Sequence, residues 1–402
     1  MSHILISDMA HIVNWITWEY STLVIYLDYA ATAPMRPEIA EKVHQLSLQE
    51  LGNPSSLHRA GTKARMVLEH ARERVADSLG AKGEEILFCS GATEADNLAI
   101  LGAVNHSDTR QQHLISSQIE HAAVYETVKR QEQLGRGVDW LRVDSEGRVE
   151  LEHLAELLEK NPLSLVSVMI ANNEVGTRQP VSEIGELCRR HGALFHADGV
   201  QDPKTARSLI KDGLVDLVCL SGHKLGGLHG GLLYVRQGVA INPQIVGGSQ
   251  EDGRRAGTSE VCRAESLAMA LEMSLAEDAR TVVECKSILE GVLERVEGAN
   301  RLGPEAERAD HISSWIFGAL AAEPILVALD MKGVCASSGS ACSSHSVEPS
   351  RVVKAMGYDD RQAAGLVRFS FGWKSDTKET ERAATIVKDV VERLVNKEKS
   401  RR

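Results

Sequence analysis

The sequence has few aromatic residues and no long apolar run. Aromatic residues make up 4% of its 402 positions, whereas hydrophobic residues as a whole make up 43%, a fraction typical of globular proteins. No apolar run approaches the about 18 residues that a membrane-spanning helix needs, so the sequence predicts no membrane span. The composition also excludes a mostly disordered chain, a collagen and a coiled coil.

Basic residues and cysteines are both in short supply. The 45 Lys and Arg residues are outnumbered by 56 Asp and Glu residues, and the net charge of −11 argues against a general nucleic-acid-binding protein. Seven cysteines are too few for a disulfide scaffold. Because no Cys-x-x-Cys pair occurs among them, we expect no zinc or redox pair of that spacing, and we assign no residue to a metal site. These features favour a reducing compartment, and we expect a cytoplasmic protein.

The first 25 residues match no common targeting signal. Acidic residues, Asp8 and Glu19, interrupt the mildly apolar stretch, and a secretory signal would need an unbroken one. A mitochondrial presequence would be rich in arginine, and this segment has none. We therefore interpret residues 1–25 as an N-terminal extension of unknown role.

From residue 58 to about residue 240, short apolar runs alternate with amphipathic stretches. The runs with strand character are 85–89, 113–117, 163–171, 193–198, 215–221 and 231–236. Helical periodicity is seen at 58–79, 94–104, 121–134, 150–160 and 181–191. Nearly continuous apolar strands separated by helices are typical of a sheet covered on both faces. The sequence therefore predicts an α/β fold with a mainly parallel central sheet.

The pattern changes after about residue 260. Residues 260–296 favour one or two helices, and short strands and a terminal helix at 378–398 follow. We predict a large domain at 26–260 and a smaller α+β domain at 261–402. Within the large domain, residues 26–52 are expected to pack with the small one.

A lysine follows one of the predicted strands in the sequence Ser221-Gly222-His223-Lys224. The carboxyl ends of strands are where open α/β sheets bind ligands. Partial desolvation there lowers a lysine pKa and frees the amine for Schiff-base chemistry. Taken alone, such a lysine is more often an ordinary surface residue.

Two further features come earlier in the chain. Asp198 ends the run 193–198, about one strand–helix–strand unit before Lys224. Pyridoxal phosphate needs a lysine to hold its aldehyde and an acid to keep its ring nitrogen protonated. Residues 90–94, Ser-Gly-Ala-Thr-Glu, lie between a strand and a helix, where free backbone N–H groups can bind a phosphate. Each feature alone is a weak signal of a cofactor site.

The order of these features resembles that of a fold-type I pyridoxal-phosphate enzyme. More specifically, the chain resembles the cysteine desulfurases of the class V aminotransferase superfamily, in the group of nitrogen-fixation and housekeeping iron–sulfur enzymes. The resemblance covers about residues 26–395. The matching stretches are 26–32, 52–56, 90–94, 119–121, 172–176, 196–201, 221–224, 254–258, 338–343 and 367–370.

The resemblance implies a role for each matching residue around pyridoxal 5′-phosphate. Lys224 would hold the cofactor and move a proton, Asp198 would pair with the ring nitrogen, and His121 would stack on the ring. Further cofactor contacts would come from Asn173 and Gln201 at the ring, and from Ala92, Thr93, Ser221 and His223 at the phosphate. In this family a threonine of the neighbouring subunit completes the phosphate site, which implies a homodimer, and the matching residue is Thr258.

The same resemblance implies a substrate and a sulfur carrier. Arg368 would bind the carboxylate of L-cysteine, assisted by Asn53. Cys342 lies in the Ser/Gly-rich segment 336–346, which we expect to be mobile because it is unsuited to a packed core. Its thiolate would take the substrate sulfur as a persulfide, releasing L-alanine, and would pass the sulfur to an acceptor such as an iron–sulfur scaffold protein.

Three alternatives stay open on the residues alone. A selenocysteine lyase would use nearly the same site on a selenium substrate. A class V aminotransferase would make Cys342 incidental, and a non-catalytic assembly protein would have no need of Lys224 or Asp198. One departure from the family pattern follows Lys224, where the loop Leu225–Gly231 is about one residue shorter than usual.

Overall fold

The structure is a computed structural model that describes residues 24–105, 113–339 and 349–400. Cys342 and nearly all of the predicted extension 1–25 therefore lie outside the described residues. In the part of the chain that is described, no helix is both long and apolar enough to cross a membrane.

Seven strands form the central sheet in the spatial order β2-β8-β7-β6-β5-β3-β4. The strands are β2 (Ile86–Cys89), β3 (Leu114–Ser117), β4 (Val138–Leu141), β5 (Leu165–Ser167), β6 (Leu194–Asp198), β7 (Leu217–Ser221) and β8 (Gly231–Val235). Neighbouring strands from β7 to β4 are parallel, and β8 runs antiparallel to both of its neighbours. The prediction of an α/β fold with a mainly parallel sheet is confirmed.

Helices cover both faces of this sheet. They are α1 (Pro37–Ser47), α2 (Arg59–Leu79), α3 (Ala92–Val104), α4 (Ala122–Gln133), α5 (Leu151–Lys160), α6 (Val181–His191), α7 (Pro203–Lys211) and α8 (Val261–Ala276). Alternate residues of β7 belong to different cores: Val218 packs with α2 and α5 to α8, whereas Cys219 packs with α3 and α4. This alternation is the two-residue period of a strand that is buried on both faces.

The helix α2 illustrates how the sequence specifies an element. One row of apolar positions recurs every three or four residues and is buried: Ala64, Leu68, Ala71, Val75 and Leu79. His58 caps the first turn by accepting a hydrogen bond from a backbone N–H. Gly80 ends the helix at φ 75°, a left-handed conformation that favours glycine.

A second core lies around a three-stranded sheet in the order β12-β10-β9. Its strands are β9 (Ala299–Arg301), β10 (Ile312–Phe317) and β12 (Leu366–Ser370), and the short strands β1 (Ile25–Tyr26) and β11 (Val334–Cys335) pair beside it. The helices of this part are α9 (Arg280–Leu293), α10 (Ala322–Asp330), α11 (Arg351–Ala355), α12 (Asp360–Ala363) and α13 (Thr377–Lys399). Ile25 and Leu27 are buried in this core.

The division into domains stays a proposal, and the packing suggests a later boundary than residue 260. Helix α8 buries Ala264, Leu267 and Leu271 in the core of the central sheet. Helix α9, in contrast, buries Leu289 and Leu293 in the second core. We therefore propose that the boundary lies between these two helices, with β1 crossing back to the smaller domain.

Candidate active site

A cavity of about 460 Å³ opens where the central sheet meets the second core. Strands β6 and β7 end at this cavity, and helices α3 and α4 begin at it. Most of the predicted site residues line it: Ala92, Thr93, His121, Asn173, Asp198, Gln201, Ser221, His223, Lys224 and Arg368. The volume lies in the range of sites that bind small molecules or cofactors.

Lys224 ends a short 3-10 helix directly after β7. Its Nζ donates hydrogen bonds to the carbonyl oxygens of Ala30 at 2.8 Å and Ala31 at 2.5 Å. These carbonyls belong to the segment that follows β1, which is anchored in the second core. The amine is thus placed at the boundary between the two cores, where both can contribute to one site.

Asp198 is the last residue of β6 and is 6% exposed. Its Oδ1 accepts a hydrogen bond from the Val200 N–H at 2.9 Å. Burial and, second, the negative charge of Asp96 together raise the pKa of Asp198 to about 6, although His121 opposes the shift. A cation placed against this carboxylate would therefore be strongly favoured, as a protonated ring nitrogen requires.

The start of helix α3 forms a cradle for an anion. Gly91 is the N-cap, and the backbone of Ala92 and Thr93 follows at the cavity wall, where the N–H groups of a first helical turn lack intrahelical acceptors. Gly231 allows β8 to lie against this loop, since a Cβ there would come within 2.3 Å of the Gly91 carbonyl carbon. The cradle therefore has the donors that a phosphate group needs.

Two histidines, His223 and His229, line the same cavity as this helix start. His223 Nδ1 lies 2.8 Å from Ser221 Oγ, and its ring stacks on that of His229 with centroids 4.6 Å apart. Burial, with the nearby positive charge of Lys224, lowers the pKa of His223 to about 4. His223 is consequently neutral at pH 7 and takes part through hydrogen bonding. The sequence analysis missed His229, which lies in the shortened loop after Lys224.

Gln201 and His121 are held at the sides of the cavity. The Gln201 amide donates to the Ala30 carbonyl at 3.1 Å, and its Oε1 lies 3.0 Å from His311 Nε2. Burial lowers the pKa of His311 to about 4, so the neutral ring donates its N–H to that oxygen and fixes the amide orientation. His121 caps helix α4, accepting from the Ala123 N–H at 3.1 Å.

Arg368 lies in β12 and is 1% exposed. Its Nη2 donates to Asp28 Oδ1 at 2.7 Å, and its Nη1 donates to the Asn173 carbonyl at 2.7 Å. Its Nε is buried and has no acceptor among the described residues. A buried donor without a partner costs free energy, so an anionic ligand that supplied an acceptor would be stabilised here.

Three of the predicted site residues are not among the residues that line this cavity. Asn53 is exposed, and its side chain accepts a hydrogen bond from the Ser55 N–H at 2.9 Å. Thr258 is exposed at a neighbouring cavity that Ser90 and Gly230 also line. Cys342 lies outside the described residues. The roles given to all three remain predictions.

Comparison with known proteins places this chain in a family. The family model described as aminotransferase class-V matches residues 25–382. A putative cysteine desulfurase IscS 1 of Bacillus subtilis is 40% identical over 376 residues, covering 92% of this chain and 99% of that protein. A cysteine desulfurase IscS of Dictyoglomus turgidum is 38% identical over 378 residues, covering 93% and 95%.

Solved structures have the same architecture. A NifS-like protein superposes with a TM-score of 0.85 at 32% identity, covering 92% of this chain and 99% of its own. A structure of SspA in complex with cysteine gives a TM-score of 0.75 at 30% identity, covering 86% of this chain and 98% of its own.

Proposed function

We propose that this chain, which belongs to the aminotransferase class-V family, is a pyridoxal-phosphate-dependent cysteine desulfurase that converts L-cysteine to L-alanine. The observation that carries the proposal is that Lys224, Asp198, the start of helix α3 and Arg368 all line one cavity. An amine, a buried acid, an anion cradle and an arginine fork are the groups that this cofactor and an amino-acid substrate require together.

The residues present fit pyridoxal phosphate. Ala92, Thr93, Ser221 and His223 would hold the phosphate, Asp198 the ring nitrogen, and His121, Asn173 and Gln201 the ring. Lys224 would hold the aldehyde. When bound, the cofactor withdraws electrons from the Cα of an attached amino acid through its protonated ring.

The chain's own residues would carry out the remaining steps. Lys224 would remove the Cα proton of the substrate and return it later. The Cys342 thiolate would attack the substrate sulfur, so that an S–S bond forms while the C–S bond breaks. The electron pair of the C–S bond stays with the carbon, which takes up a proton to give alanine. The sulfur remains on Cys342 as a persulfide for an acceptor, for which we propose an iron–sulfur scaffold protein.

Arg368→Lys should raise the KM for L-cysteine at least about tenfold, because a lysine keeps the charge but cannot bind a carboxylate through a planar fork. The charge that remains beside Asp28 should preserve the fold and the affinity for pyridoxal phosphate. Steady-state kinetics and cofactor titration would measure both, with Arg361→Lys as the matched exposed control. An unchanged KM would remove Arg368 from substrate binding.

We also propose a homodimer, in which Thr258 of each chain completes the phosphate site of the other. Sedimentation should give twice the chain mass of 43.8 kDa. Thr258→Val should leave the dimer intact and weaken cofactor retention, because it removes one hydroxyl and preserves the side-chain shape. A fully active monomer would refute the shared site.

We also propose that the protein is located in the cytoplasm.

An absorbance experiment tests the proposed function. Addition of pyridoxal phosphate to the apoprotein should produce the band of a lysine-bound cofactor, and L-cysteine should shift it and yield alanine without any keto acid. Failure to bind the cofactor, or a requirement for a keto acid, would contradict the proposal. L-selenocysteine at the same concentration would show whether the site prefers selenium.

A further inference from the structure

A buried polar cluster lies behind the site, outside the cavity lining. Asp96, His196 and Cys219 are 1%, 0% and 0% exposed, and their polar atoms all lie within 4.8 Å of one another. None of the three was assigned a role by the sequence analysis. They come from helix α3, strand β6 and strand β7, the elements that also supply the phosphate cradle, Asp198 and Lys224.

The carboxylate of Asp96 is poorly satisfied. Its Oδ1 lies 3.5 Å from His196 Nε2, and within the described part of the chain neither carboxylate oxygen accepts a hydrogen bond of normal geometry. His196 is itself held firmly, with Nδ1 2.8 Å from Ser167 Oγ and Nε2 3.3 Å from Cys219 Sγ. A buried carboxylate without a well-formed hydrogen bond is costly, and such costs persist mainly where function requires them.

A nearby acid provides a contrast. Glu120 is equally buried, but its carboxylate accepts hydrogen bonds from the Ser117 hydroxyl at 2.7 Å and from the Met169 N–H at 3.0 Å. Burial raises the pKa of Glu120 to about 8. The fold thus gives one buried acid beside the site two well-formed hydrogen bonds, whereas the other has only long contacts with His196 and Cys219.

Two members of the cluster are neighbours of Asp198 in the central sheet. His196 precedes Asp198 by two positions on β6, so both side chains project to the face that α3 covers. Cys219 is paired with Asp198 in register on the adjacent strand. The negative charge of Asp96 is the second-largest cause of the raised Asp198 pKa, after burial. Asp96 therefore lies beside the strand pair that carries Asp198, close enough for its charge to act on that carboxylate.

A metal ion is a poor occupant of this cluster. Metal ligation needs a deprotonated thiol, whereas burial first and then the charge of Asp96 raise the pKa of Cys219 far above its ordinary value. With a neutral thiol, the cluster is an electrostatic element instead of a ligand set.

We propose that Asp96 is a positioning residue, whose buried negative charge reinforces that of Asp198 and so strengthens binding of a protonated heterocyclic nitrogen against Asp198. The inference rests on the proposed function, because the nitrogen is that of the pyridoxal-phosphate ring. The neighbouring titratable groups His121, His196 and Glu120 surround Asp198 and complete its electrostatic environment. Asp96 contacts neither cofactor nor substrate and acts through Asp198.

The test compares two ligands of the apoprotein: pyridoxal phosphate and its 1-deaza analogue, in which a C–H group replaces the ring nitrogen. Asp96→Asn removes the charge with little change of shape. It should weaken pyridoxal-phosphate affinity at least about tenfold and leave affinity for the analogue unchanged. The apoprotein should melt at the same or a higher temperature, because a poorly paired buried charge is removed. Cys219→Ser, in the same cluster, keeps the charge and should bind both ligands like the unmodified chain.

Other results would overturn the inference. Equal loss of affinity for both ligands would indicate a structural role, and unchanged affinity for pyridoxal phosphate would indicate no role. Failure of Asp96→Asn to fold would also contradict it, since the charge would then be needed for stability. If the unmodified apoprotein does not bind pyridoxal phosphate, the proposed function itself fails, which is a distinct outcome.

Discussion

Lys224→Ala should lower alanine formation from L-cysteine by about 10⁴-fold or more, because one substitution removes both the cofactor anchor and the Cα base. The amine cannot be replaced by a neighbour, since its position depends on hydrogen bonds to the Ala30 and Ala31 carbonyls. The phosphate cradle is unaffected by the substitution, so the variant should still bind pyridoxal phosphate non-covalently. Alanine assay and absorbance spectra would measure the two effects separately.

Lys204→Ala is the matched control for this experiment. Lys204 is exposed on helix α7, donates to the Glu277 carbonyl at 2.7 Å and does not line the candidate active-site cavity. It should retain the rate of the unmodified chain. If Lys224→Ala released alanine at that rate too, the assignment of Lys224 would be wrong, and with it the proposed cofactor chemistry.

Cys342→Ser should abolish alanine release while leaving the first half of the reaction intact. In the proposed mechanism, cofactor binding and removal of the Cα proton require Lys224, Asp198 and Arg368, whereas transfer of sulfur requires a thiolate. The variant should therefore bind pyridoxal phosphate, show a spectral change with L-cysteine and carry no persulfide. Spectroscopy and mass spectrometry of the chain would establish each point.

Cys335→Ser is the matched cysteine control. Cys335 is half-buried in β11, where it pairs with Tyr26, and burial raises its pKa above the ordinary value. A thiol in that setting is a poor nucleophile, so the variant should behave like the unmodified chain. Loss of activity in Cys335→Ser with activity retained in Cys342→Ser would mean that the sulfur carrier is Cys335.

Local sequence patterns predicted those strands and helices whose burial is visible in the spacing of their own apolar residues. Each predicted strand from 85–89 to 231–236 contains an observed strand, because strands buried on both faces are continuous apolar runs. Strand β4, Val138–Leu141, escaped prediction because this edge strand is half-exposed and its sequence Val-Asp-Trp-Leu is mixed. The residues 260–296 form two helices, and only their packing assigns each helix to its own core.

Long-range pairs in the site could not be predicted. Asp28 and Arg368 form an ion pair at 2.7 Å although 340 positions separate them. His311 fixes the amide of Gln201 and lies in no recognised motif. The Asp96–His196–Cys219 cluster depends on the register of β6 against β7, which apolar periodicity alone leaves undetermined. Predictable residues were those that end a strand, follow one or begin a helix, as Asp198, Lys224 and Thr93 do.

A single-turnover reaction tests the central claim most directly. The cofactor-loaded chain would be mixed with less than one equivalent of L-cysteine, without keto acid or added thiol, and alanine and chain-bound sulfur would be quantified together. We predict equal amounts of alanine and of sulfur bound to the protein as persulfide. Formation of pyruvate, ammonia and free sulfide would show an elimination, and no product without a keto acid would show a transaminase; either result would contradict the assignment as a cysteine desulfurase.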